Sequence, residues 1–192
     1  MLKKIPTYLI SLIPLSLIAG PFVAELILLV LSIYFILKIS KNEFFLLKNK
    51  FFSGFIIFCL YISIRSLFTD QIFISLKSSL LYFRFAFYAL AIIYFLNKDK
   101  DALKVNYIFY KYTFLFVIID SLLQVFIGKD LFGMEPNSVN LMRISGPFGD
   151  EFVLGSFLQK VLPIFIYLIF KNKEIKNKIH ISDYIILIFS FV

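Results

Sequence analysis

Residues 13 to 38 read IPLSLIAGPFVAELILLVLSIYFILK: two apolar runs joined only by Gly20 and Pro21, a turn signal without charge. Read as one long kinked helix or as a tight hairpin, this stretch sets the side of the membrane on which every later loop falls. That a membrane is involved follows from the rest of the chain. Of its 192 residues 60% are hydrophobic, 26 are Phe, and the mean hydropathy is +0.90, more apolar surface than a soluble chain of this length can cover. The start, MLKK before an apolar stretch, lacks a small-residue cleavage site and reads as a retained first helix.

A spanning helix needs about 20 predominantly apolar residues. Runs of that kind lie near 5 to 19, 21 to 37, 51 to 68, 73 to 96, 107 to 127 and 152 to 170, and a seventh begins near Asp183. The expected fold is therefore all-α: a polytopic helical bundle of about six complete transmembrane helices and a truncated seventh. No linker or repeat divides the chain, which makes residues 1 to 192 a single transmembrane domain with its longest loop at 128 to 151.

Lysine placement resolves the opening stretch, because short cytoplasmic loops are enriched in Lys and Arg. Fourteen of the 20 basic residues fall at the N-terminus, between Lys38 and Lys50, between Lys98 and Lys111, and between Lys171 and Lys178. Those four places share a side only if Gly20-Pro21 makes a hairpin. The N-terminus is then cytoplasmic, and the loop from 128 to 151 lies outside. Topology and anionic headgroups account for the net charge of +8, so it calls for no nucleic acid. The single Cys59, inside an apolar run, excludes a disulfide and a cysteine metal site, and His180 has no partner histidine.

Six basic residues remain: Arg65, Lys77, Arg84, Lys129, Arg143 and Lys160. On this topology most are drawn toward the outer half, with Arg84 near mid-membrane, where a charge costs at least about 2.5 to 3.5 kcal/mol. Lys77, Arg84 and Tyr88 fall on one face of the fourth run, and Asp120, Gln124 and Gly128 recur every four residues along the fifth. Such residues suit a polar cavity that holds a multiply anionic ligand, arginine above all, whose planar fork grips two oxygens. A structural reading stands beside this: Arg84 and Asp120 as an interhelical ion pair, and Lys77 as an interface anchor.

Residues 143 to 157, RISGPFGDEFVLGSF, interrupt the apolar pattern with a turn. Asp150 is then a plausible N-cap for the sixth run, and Glu151 complements the dipole of its first turn. That leaves Arg143 and the length of the loop without an account. The string RISGPFGDEFVLGSFLQKVLP, with DSLLQVFIGKDLFG at 120 to 133, SLKSSLLYFR at 75 to 84 and IPLSLIAGP at 13 to 21, resembles the O-antigen ligase and polymerase family of bacterial envelope glycosyltransferases. The resemblance runs along nearly the whole chain, and the arginine-serine-glycine string with its acidic pair is its most specific part.

The resemblance implies a multi-pass inner-membrane protein acting at the periplasmic face on undecaprenyl-diphosphate-linked glycan, without cofactor, nucleotide sugar or obligatory metal. The glycan is either extended or passed to lipid A-core or another acceptor. Loss of the diphosphate builds negative charge that preorganised cations stabilise. Arg143 is then the first candidate, with Arg84, Lys77, Lys160 and Arg65 as further diphosphate-binding cations. A base for the acceptor hydroxyl would be Glu151 or Asp150, with capping as their alternative role. Family members run longer, with a second arginine segment and a large periplasmic loop bearing, in ligases, a histidine that His180 cannot replace. The expectation is an N-terminal portion, inactive alone. A lipid-glycan flippase, a small-anion transporter and a structural membrane subunit remain as alternative classes.

Overall fold

The computed structural model describes residues 4–39, 50–135, 144–149, 151, 153–176 and 180–190. Among the described residues every regular element is helical: α1 Ile5–Ala19, α2 Pro21–Lys38, α3 Lys50–Ser66, α4 Ile72–Leu81, α5 Phe83–Lys98, α6 Ala102–Ile127, α7 Leu154–Lys176 and α8 Ile181–Phe189, with a 3₁₀ turn at Gly146–Phe148. Helix is what long apolar runs must form in lipid, where each backbone N–H and C=O has to be satisfied within the segment. The hydroxyls in these runs obey the same constraint. Ser11 donates to the Thr7 carbonyl at 2.8 Å, Ser32 to Leu28 at 2.9 Å and Ser63 to Cys59 at 2.9 Å, each one turn back along its own helix.

Among the described residues four stretches are long and apolar enough to cross a membrane: α2, α4 and α5 together over Ile72–Lys98, α6, and α7 over Leu154–Lys173. The lipid-like surface is evident in side chains such as Phe51 and Phe73, 89% and 90% exposed. Helices α1, of 15 residues, and α3, of 17, reach about 22 to 26 Å at about 1.5 Å per residue, short of a hydrocarbon core of about 30 Å. Length therefore does not by itself deliver six complete spans.

Gly20 ends α1 with φ 125° and ψ 156°, and its N–H donates to the Ser16 carbonyl at 3.1 Å. The backbone leaves helical geometry there, so α1 and α2 are two helices rather than one kinked helix. A second break lies inside the fourth apolar run. The Tyr82 N–H turns to the Ser79 carbonyl at 3.2 Å and the Phe85 N–H to that of Tyr82 at 3.0 Å, a local tightening to i,i+3 bonds. No Pro or Gly is present; Ser79, whose hydroxyl bonds the Leu76 carbonyl at 2.9 Å, sits at the distortion. The break separates Lys77, exposed on α4, from Tyr88, buried on α5, so the three-residue face expected for Lys77, Arg84 and Tyr88 is not continuous.

The chain packs as two compact units, residues 1–24 with 100–192, and residues 25–99. In the first, α6 and α7 interdigitate aromatic side chains. The Phe114 and Phe165 rings stack at 4.9 Å, Tyr107 stacks on Phe165 at 6.3 Å, and Val117, Val161, Leu162 and Ile186 of α8 fill the remainder. In lipid such contacts stabilise through dispersion and shape rather than through exclusion of water. Helix α1 lies along α6, with Tyr8 edge-on to Phe109 at 6.4 Å and Lys4 paired to Asp101 at 2.8 Å. In the second unit Phe35 of α2 meets Tyr94 of α5 edge-on at 5.2 Å, and the Ser66 and Ser79 hydroxyls join α3 to α4 at 3.3 Å.

Candidate functional site

Buried polar side chains gather at the Gly128 end of α6. The i,i+4 spacing of Asp120 and Gln124 puts both on the packed face, 0% and 2% exposed. Gln124 Oε1 accepts from the Ser145 and Gly146 N–H groups at 3.0 and 2.9 Å, while its Nε2 donates to Ser145 Oγ at 3.1 Å. One side chain thereby satisfies three groups of the 3₁₀ turn in RISGPFGDEF. The turn sits close: with φ at +57°, a Cβ on Gly146 would stand 2.7 Å from Ser121 Oγ.

After α6, Gly128 adopts the left-handed conformation at φ 80° and the chain winds around Asp130. Asp130 Oδ1 accepts from Phe132 N–H at 3.0 Å and Met134 N–H at 2.6 Å. Asp120 Oδ1 accepts from Leu131 N–H at 2.8 Å, tying this turn back to the helix. Asp120 with the Asp130 turn, and Gln124 with the Ser145-Gly146 backbone, thus form two hydrogen-bonded groups that start one helical turn apart on α6.

In the other unit, Arg84 Nη2 pairs with Glu25 Oε1 of α2 at 3.0 Å, and its guanidinium carbon lies 5.1 Å from the Phe85 ring centre. Tyr88 stands beside the same carboxylate. Arg84 therefore has its counter-ion in Glu25, a residue that sequence reasoning passed over. The signal was there: a lone carboxylate in an apolar run is costly and implies a cationic partner. Arg65, exposed in the last turn of α3, reaches the Tyr61 hydroxyl at 3.5 Å, and Lys77 is exposed on α4.

Lys160 is exposed on α7 and Glu151 is exposed ahead of it. Helix α7 begins at Leu154 with no acidic residue in its first turn, because the Glu151 N–H bonds the Phe148 carbonyl at 3.3 Å and the Val153 N–H that of Glu151 at 2.8 Å. This added turn moves Glu151 out of the dipole-complementing place expected for it. Arg143 and Asp150 lie outside the described residues. A cavity of about 1040 Å³ opens between α6, α7 and the end of α8, lined mainly by Leu122, Val125, Leu158 and Leu162, with Ser121, Gln159 and Ser190 as polar members. Among the described residues that line it none is charged.

A second buried polar cluster was not foreseen. Asp183 of α8, 1% exposed, accepts from the Tyr107 hydroxyl at 2.8 Å, pairs with Lys111 at 2.9 Å and accepts from the His180 N–H at 3.2 Å. Both oxygens are engaged, so the cluster reads as a fastening of α8 to α6. Among the described residues no group of three or more His, Cys, Asp or Glu side chains gathers to hold a metal. Comparison with known families, curated proteins and solved structures finds no match to this chain.

Proposed function

We propose that this membrane protein is of the glycosyltransferase type that builds bacterial surface polysaccharide, transferring or polymerising undecaprenyl-diphosphate-linked glycan at the periplasmic face. The reading includes six complete spans and α8, a cytoplasmic N-terminus, and an inner-membrane location, as the lysine distribution and the resemblance imply. The observation that carries it is a convergence. Gln124, from DSLLQVFIGKDLFG, holds the backbone of Ser145 and Gly146, from RISGPFGDEF, so two strings that bear the resemblance meet in space.

On this reading Arg143 stabilises the departing diphosphate, whose charge grows as the glycosidic bond breaks. Arg84 is less available for that work, because Glu25 already balances its charge. Lys77, Lys160 and Arg65, all exposed, are supporting cations, and Glu151 or Asp150 is the base toward an acceptor hydroxyl on the glycan or on lipid A-core. The balanced Glu25–Arg84 pair favours a second reading, a structural membrane subunit, in which neutral replacements of Arg84 and Arg143 would be tolerated.

The two readings separate by complementation. Arg143→Ala and Arg84→Ala are introduced into the gene, protein amount is checked in the membrane, and surface glycan is profiled. The enzyme reading expects Arg143→Ala to lose glycan extension or attachment at normal protein level; unchanged glycan in that variant would favour the structural subunit.

A further inference from the structure

Asp120 and Asp130 each retain one carboxylate oxygen, Oδ2, that is buried and without a hydrogen-bond partner among the described residues. Asp120 is 0% exposed and Asp130 6%, and they arise from different elements, the helix α6 and the turn that follows it. In each the other oxygen is fixed by backbone N–H groups of a single turn: Leu131 on Asp120, and Phe132 and Met134 on Asp130. The Leu131 N–H that Asp120 accepts at 2.8 Å belongs to the residue after Asp130, so the two carboxylates flank one turn. Two like charges removed from water and brought together are strongly unfavourable unless a positive charge joins them.

The described cations do not supply it. Lys129, next to Asp130 in sequence, pairs with Glu135 at 3.1 Å, and both side chains are more than half exposed. The other described ion pairs, Lys4 with Asp101, Arg84 with Glu25 and Lys111 with Asp183, involve neither aspartate.

We infer that Asp120 and Asp130 together bind one hard divalent cation of the calcium or magnesium class. Carboxylate oxygens are the ligands such ions select, and carbonyl oxygens of the turn and water complete the coordination. The ion ties the turn at 130 to 134 to α6, next to the segment that Gln124 holds, whatever reaction the protein performs.

The test uses the full chain, purified in detergent and stripped with a chelator, with thermal unfolding followed as calcium alone or magnesium alone is added. A saturable rise of several degrees is expected from mass action, absent with sodium or potassium at matched ionic strength. Asp130→Asn and Asp120→Asn each remove the rise; should Asp120→Asn fail to accumulate, Asp130→Asn decides. No saturable rise in the native protein overturns the inference, and is what a protonated Asp120 or neutralisation by a side chain outside the described residues would give. An equal rise in Asp130→Asn overturns it as well.

Discussion

Gln124 illustrates how much one buried amide can hold. Removing it leaves two N–H groups and a hydroxyl unpaired in a buried place, each costing about 1 to 3 kcal/mol, so Gln124→Leu is expected to destabilise by about 2 to 4 kcal/mol after relaxation. Chemical or thermal unfolding of the purified variant measures this; a loss below about 1 kcal/mol would mean that the turn is held by something else. Gly146 poses the complementary problem of space. Gly146→Ala puts a methyl group against Ser121 Oγ and a side chain at φ +57°, a combined strain of about 1 to 3 kcal/mol. Removing the obstacle should recover part of it, so Ser121→Ala combined with Gly146→Ala is expected to be more stable than the sum of the single effects, and strict additivity would exclude the steric account.

Among the described α-helices, α8 is the shortest and depends on a side chain at its start. Lys111→Met leaves the Asp183 carboxylate, 1% exposed, without its ion partner, at a cost of about 3 kcal/mol, and hydrogen exchange in α8 should rise ahead of exchange in α7. Exchange that changes equally in both helices would point to global loosening instead. The contact between α1 and α6 carries a pH signature. The Lys4 ammonium, bonded to Asp101, holds that carboxyl below its ordinary range of about 3.8, so the contribution is present above the unfolded value and is lost as pH falls through the lowered folded one. Both side chains are more than half exposed, so the effect is small: Lys4→Ala should lower stability slightly near neutrality, flatten the acid limb, and match the native protein once pH is below the lowered folded value. The positions of these helices could be read from apolar runs ended by charges or by Gly20-Pro21, since lipid leaves a long apolar segment no alternative to helix. The break at Tyr82 could not: its cause is serine back-bonding, which leaves none of the punctuation that Pro or Gly provides. Nor could the late start of α7, because the extra turn after Phe148 depends on backbone bonds that residue types do not reveal.

For the molecule as a whole, four stretches among the described residues long and apolar enough to span, with phenylalanines exposed, mark a membrane protein. Of the candidate site, the shared face of Asp120 and Gln124 was legible because four-residue spacing fixes a helix face whatever lies around it. Their partners were not legible, since the Ser145-Gly146 turn reaches Gln124 across a loop and Glu25 meets Arg84 across 59 positions of chain. Pairing at such separation is decided by packing, which residue types alone do not encode. The proposed function is a reaction that consumes a lipid-linked glycan, so the most direct measurement is the fate of that glycan when the gene is deleted. The account predicts that undecaprenyl-diphosphate-linked glycan accumulates, that surface glycan is shortened or lost, and that the native gene restores both while Arg143→Ala does not. Surface glycan of normal length and attachment in the deletion strain, with no accumulation of the lipid-linked precursor, would contradict it.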